Sequence, residues 1–246
     1  MNQRKRIVVK HHLGIGDHFI CNGLIHKLLE TNDIDLICKR IYEKTVRHLY
    51  EDVTDKLNVI PIDVEDKDEL DYVEKTKLDY LKVGFVGVDF SNFEESFYKQ
   101  LNFDPELEYS NFKLPRNLSS SKLLFHKYMN KFALRPYNFE YNFVHDQSST
   151  HQYNLMYGDG SPVDLSPYLN FYVEKEDTDD ILDYVDLILN AREVHVINSG
   201  LNNLVFQLIY KDMLDRKKVY FHKARKYHEN GIPVKIPQGV KVIEYE

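Results

Sequence analysis

Three short segments of the chain carry residue types able to do group-transfer chemistry. The first is His11-His12-Leu13-Gly14-Ile15-Gly16-Asp17, two glycines and an acid where an apolar run gives way to a helical pattern. A glycine turn lets main chain come close to a ligand. A carboxylate at the start of the following helix has two uses: it satisfies first-turn amides, or it takes the proton of an attacking hydroxyl. A dinucleotide fingerprint would need a further glycine where Phe19 stands, and no Gly-Lys-Ser/Thr follows, so NAD and ATP lose their main support.

The second segment, Asn198-Ser199-Gly200-Leu201-Asn202-Asn203, reads as a strand end flowing into an apolar helix. Unpaired N–H groups and a positive dipole suit a diphosphate there, and Gly200 removes the side chain that would obstruct it; an ordinary N-cap by Asn198 or Ser199 is the alternative. The third, His145-Asp146-Gln147-Ser148-Ser149, also follows a strand. Its hydroxyls can meet phosphate oxygens and His145 can act as base or donor, although such loops are often only solvated. Arg225, in the basic run from Lys217 to Lys226, is a cation able to meet a leaving diphosphate.

Other chemistries find less support. Adjacent His11 and His12 on a strand point to opposite faces, and His222, His228 and the acids near them lack a metal-ligand spacing. There is no Gly-x-Ser-x-Gly elbow. Cys21 and Cys38 are too far apart for a zinc or redox pair and read as buried thiols of a reducing compartment. The 32 Lys+Arg against 39 Asp+Glu give a net charge of −7, mixed along the chain, which argues against nucleic acid as a partner. With 246 residues, 43% of them hydrophobic, the composition fits one large or two small globular domains. No apolar window approaches the roughly 18 residues of a membrane helix and no secretory signal opens the chain, so the expected location is cytoplasmic. Most of the 18 Tyr and 14 Phe are expected in the core, with some available to stack on sugar rings.

The elements that must position these segments follow from periodicity. Short β-branched runs predict strands at 7–10, 34–38, 57–62 and 81–86, with helices after the glycine turn (Ile20, Leu24, Leu28) and at 42–50, 66–77 and 95–101. The pattern fades over 102–116, returns as a helix over 119–132, and breaks at Leu134-Arg135-Pro136, the expected domain boundary. A second series follows: strands at 141–144, 169–173, 194–197, 218–222 and 240–244, and a helix over 201–214. Asp177-Thr178-Asp179-Asp180 opens a further helix with Ile181, Val185, Ile188 and Leu189 as its stripe. Alternating strands and helices imply an α/β fold of two Rossmann-like domains, 1–135 and 136–246, with mainly parallel sheets and a ligand cleft at the strand ends.

A Gly-x-Gly-Asp turn opening the first domain and an Asn-Ser-Gly turn opening a late helix of the second together resemble the GT-B glycosyltransferases, in particular the heptosyltransferase group and related small sugar transferases. The resemblance implies an acceptor-side first domain, a donor-binding second domain, and inverting transfer from a nucleoside-diphosphate sugar to a glycan or glycoconjugate hydroxyl without a metal or other cofactor. By position, Asp17 matches the family's general base, with His12, Gly14 and Gly16 in the acceptor-side loop. Ser199 and Gly200 match the donor-diphosphate turn, and Ser148 and Ser149 its hydroxyl pair; His145, Asn198, Asn203 and Arg225 complete the implied donor site. Asn198 stands where the family has Asp, Asn203 where it has His, and Gly23 where a Pro is common. Two alternatives stand beside this reading: a nucleotide-sugar epimerase or hydrolase on the same scaffold, and a non-catalytic nucleotide- or sugar-binding module, which the Asn198 and Asn203 departures keep open.

Overall fold

The computed structural model describes residues 4–131, 140–148, 151–174, 176–224 and 234–245. Its contacts divide the chain into two compact units, Met1–Arg116 and Asn117–Glu246.

The first unit is built on a parallel four-stranded sheet. β1 (Lys5–Lys10), β2 (Asn32–Lys39), β3 (Leu57–Ile62) and β4 (Asp79–Lys82) take the order β3-β2-β1-β4. β1 and β2 are central, which explains their near-continuous burial: Val8, Val9, Ile34, Leu36 and Ile37 are wholly inside. Val8, Ile37 and Ile62 form one core layer with Leu13, against which Tyr72 and Val73 of α4 (Lys67–Thr76) pack. The helix after the glycine turn is two segments, α1 (Ile15–Ile20) and α2 (Asn22–Leu28), joined at Cys21. α3 (Glu43–Leu49) lies against β2 and β3. α5 (Phe93–Lys99) and the single turn α6 (Leu107–Ser110) complete the unit, α6 resting on α2 so closely that a Cβ on Gly23 would stand 2.0 Å from the Leu107 carbonyl oxygen.

β4 begins earlier than the expected 81–86. Ile7 pairs with Asp79 and Lys10 with Lys82, and the chain then turns through Gly84 and Gly87, both at positive φ. As an edge strand β4 needs no apolar run, so its Asp-Tyr-Leu-Lys sequence hides it.

The second unit has a five-stranded parallel sheet in the order β6-β5-β7-β8-β9, with β5 (Tyr141–His145), β6 (Leu169–Tyr172), β7 (Glu193–Ile197), β8 (Val219–Lys223) and β9 (Lys241–Glu244). α7 (Ser119–Lys131) belongs to this unit, where the sequence placed the boundary near 135. Its Ser121 hydroxyl accepts the Asp186 N–H at 2.6 Å and its Tyr128 ring packs on Phe171. The helix expected after Asp177 is shorter than its stripe suggests: a tight turn over Ile181–Tyr184, N-capped by Asp180, precedes α8 (Val185–Leu189). The chain re-enters the sheet almost at once, as the Arg192 N–H bonds Tyr141 O at 2.8 Å, and that leaves no room for further turns.

α9 (Gly200–Tyr210) covers the same sheet face, with Phe206 on Phe221. On the opposite face Val144 and Ile197 are covered by Leu155 and Val163 from the 151–166 segment. Beside them runs a buried polar chain in which His222 bonds the Tyr245 hydroxyl at 2.8 Å and His195 at 3.0 Å, while His195 reaches Glu193. Among the described residues no helix is long and apolar enough to cross a membrane.

Candidate functional site

Each unit presents one group of the expected residues at the carboxyl end of its sheet, where α/β folds bind ligands. In the first unit β1 runs directly into the loop. Lys10, fully buried, is neutralised by Glu69, with Glu65 and Asp66 at 3.4 and 3.6 Å. His11 turns inward, where burial lowers its pKa to about 4 and keeps it neutral. His12 turns the other way, and its Nε2 lies 2.5 Å from the Gly84 carbonyl oxygen. A carbonyl only accepts, so the ring nitrogen that faces it, Nε2, carries a proton. The ring is held among Phe85, Phe93 and Phe97, with centroids 5.0 to 5.6 Å away.

Asp17 occupies the third position of α1, and its Oδ2 accepts the Gly14 N–H at 3.1 Å. The helix-capping use of this acid foreseen from sequence is therefore present. It does not exhaust the residue's chemistry. Burial raises the Asp17 pKa to about 6, against the opposing pull of His12, the Gly14 N–H and Lys39. A carboxyl of that pKa takes a proton at neutral pH more readily than an ordinary aspartate. Gly14 is needed for proximity, since a Cβ there would meet Asp17 Oδ2 at 2.7 Å. Gly16 is the second residue of α1.

In the second unit the parallel pairing of β5 with β7 brings two sequence-distant candidates together. The His145 ring Nδ1 lies 3.2 Å from Ser199 Oγ. Burial lowers the His145 pKa to about 4, so the imidazole is neutral and able to share that hydrogen bond. Ser199 is the N-cap of α9 and Gly200 its first residue, and the Asn202 side chain folds back to accept the Ser199 N–H at 2.6 Å. Asn202, fully buried, thus fixes the turn, and its amide donates to Asn203 Oδ1 at 3.1 Å. Its signal in the sequence is the polar residue three places after a Ser cap.

Not every expected residue joins this group. Ser148 closes its own turn, its Oγ accepting the His151 N–H at 3.0 Å. Asn198 is half-buried ahead of the cap. Ser149 and Arg225 lie outside the described residues. Asp146, next to His145, was not among the expected site residues, yet it is almost wholly buried and lines a cavity.

No protein-family model and no curated protein matches the sequence. Solved structures do. A family 9 glycosyl transferase from Veillonella parvula DSM 2008 superposes with a TM-score of 0.57 at 9% identity, over 100% of this chain and 90% of that one. The iron-containing dodecameric glycosyltransferase TibC from enterotoxigenic E. coli H10407 gives 0.52 at 13% identity, over 90% of this chain and 59% of its own. At such identities the likeness is one of fold: the chain shares the α/β architecture of two mainly parallel sheets with these GT-B-like glycosyltransferases.

Proposed function

We propose that the chain is a glycosyltransferase that moves a sugar from a nucleoside-diphosphate donor to an acceptor hydroxyl with inversion. The observation that carries this reading is Asp17: a half-buried carboxyl, its pKa raised to about 6, anchored by a main-chain N–H at the carboxyl end of a parallel sheet. An acceptor hydroxyl is a weak nucleophile. As its oxygen bonds to the anomeric carbon, Asp17 takes its proton and the bond from that carbon to the diphosphate oxygen breaks. The departing diphosphate carries the electron pair away as negative charge. Free N–H groups at the start of α9, a helix of 11 residues whose Gly200 carries no side chain, meet that charge. The Ser199 hydroxyl, steadied by neutral His145, is a further donor for it. The reading supplies each proton and charge from side chain, main chain and substrate, with no metal in any step.

Asp17→Asn keeps the shape and the Gly14 bond but cannot take a proton. Transfer by this variant, read as release of nucleoside diphosphate in the presence of acceptor, is expected to fall at least about a thousandfold while donor binding persists. Near-normal turnover by the variant would remove Asp17 from the base role.

A further inference from the structure

The second unit holds a cavity of about 400 Å³ at the carboxyl ends of β5 and β6, roofed by the 151–166 segment. Its polar lining residues are two carboxylates, Asp146 and Asp164, three amides, Gln152, Asn154 and Asn170, and two tyrosines, Tyr153 and Tyr172. None of its lining residues is cationic. Asp146 is only 4% exposed; Gln152 Nε2 donates to its Oδ2 at 3.1 Å, while its Oδ1 has no hydrogen-bond partner. Leaving a buried carboxylate oxygen without a donor costs free energy that a ligand's O–H or N–H recovers. The loop is built to hold it there: the Tyr153 N–H returns to Asp146 O at 2.9 Å, and Ser148 and His151 close the turn between.

This lining excludes a phosphate, which would meet two like charges with no cation to offset them. It suits a neutral ligand rich in hydroxyls, because planar carboxylates and amides read neighbouring hydroxyls in pairs. His145, the residue before Asp146, lies 3.2 Å from Ser199, so the end of one strand carries both a lining residue of the cavity and a contact to the α9 turn. We infer that this cavity takes the neutral, hydroxyl-bearing part of the donor, a ribose or a sugar ring, with Asp146 as the acceptor that decides its specificity. The inference rests on the proposed donor reading and adds which part of the donor the cavity recognises.

Calorimetric titration of the full chain tests it, with UDP, GDP, ADP and CDP, their glucose conjugates, pyrophosphate, nucleosides and free hexoses as probes. Asp146→Asn is expected to weaken the preferred nucleotide or conjugate at least tenfold and to leave pyrophosphate within twofold of the parent. Equal loss for nucleotide and conjugate assigns the cavity to ribose; loss for the conjugate alone assigns it to the sugar ring. Binding of both within twofold of the parent overturns the inference. Should the parent bind no nucleotide, the donor reading fails. The cavity's preference for hydroxyls then stands if a nucleoside or hexose binds the parent and not the variant, and falls if none binds. Melting of the unliganded variant, expected no lower than the parent because a buried charge is removed, shows that it folds; Asp164→Asn, at an exposed position, repeats the test.

Discussion

Gly14 and Asp17 are bound to one another twice, the Asp17 N–H donating to the Gly14 carbonyl oxygen at 3.1 Å and the Asp17 side chain answering it. The Gly14 N–H donates to Asp17 Oδ2 at 3.1 Å, and a methyl group on Gly14 would stand 2.7 Å from that same atom. Gly14 has an ordinary extended φ of −71°, so conformational freedom is not what its position demands. Gly14→Ala is therefore expected to fold and to push the carboxylate aside. We expect kcat to fall at least tenfold with melting lowered by no more than a few degrees. An unchanged kcat would mean that the carboxylate's placement is immaterial.

The pH dependence of turnover follows from the same carboxyl. A general base works ionised, and burial holds Asp17 protonated up to about pH 6. The acid limb of kcat/KM is expected near pH 6, falling about tenfold per unit below it. His12 lowers the Asp17 pKa, so His12→Gln should move that limb upward. A limb at the ordinary aspartate value near 4 would contradict the burial argument.

The readable parts of the fold are those in which one physical demand dominates. Central strands buried on both faces must be apolar runs, and β1 and β2 read so; β3, although at the edge, keeps Leu57, Val59, Ile60 and Ile62 and is read as well. The edge strand β4 is polar and appears only once its pairing with Ile7 to Lys10 is known. The Ile181-to-Leu189 stripe is real, yet the length of its helix is set by how soon Arg192 must bond Tyr141, a constraint from another strand. The site divides in the same way. Asp17 after Gly14 is local and legible. His145 beside Ser199 spans 54 residues and exists only through the β5–β7 register. The Asp146 cavity draws its lining from residues scattered over 144–172 with no period, so the sequence pointed to the segment that holds Asp146 and not to the cavity.

Acid sensitivity of the fold is expected from the buried histidines. His11 and His222 are fully buried, and burial lowers their pKa values to about 4 and about 3. In the unfolded chain both titrate near 6.5, so between pH 6.5 and 4 the unfolded state binds protons that the folded state refuses. Stability should therefore decline as pH falls through that window, by about 1.4 kcal/mol per unit for each group. Asp17 acts in the opposite sense, since its folded pKa is raised, and offsets one such contribution below pH 6. Urea midpoints at pH 7, 6 and 5 measure the balance. His222→Gln should flatten the slope, and a slope unaltered by this change would remove His222 from the account.

Lys10 and Glu69 form a wholly buried ion pair at the end of β1, one residue before the loop that carries Asp17. Removing one partner of such a pair leaves a charge in the interior and costs about 3–5 kcal/mol. Here Glu65 and Asp66 also approach the ammonium, at 3.4 and 3.6 Å, and both retain exposure to water. Glu69→Ala is thus expected at the lower end, about 3 kcal/mol, and Lys10→Ala at the upper end, because it strands a buried carboxylate whose remaining cation, Lys82, is 3.5 Å from Oε1. Replacing both by Met and Leu should recover most of the loss, since burying apolar groups of similar volume leaves no charge to desolvate. Denaturant unfolding of the two single variants and the double variant checks the ordering. If the double variant were as unstable as Lys10→Ala, the pair would matter for its shape and not for its charge.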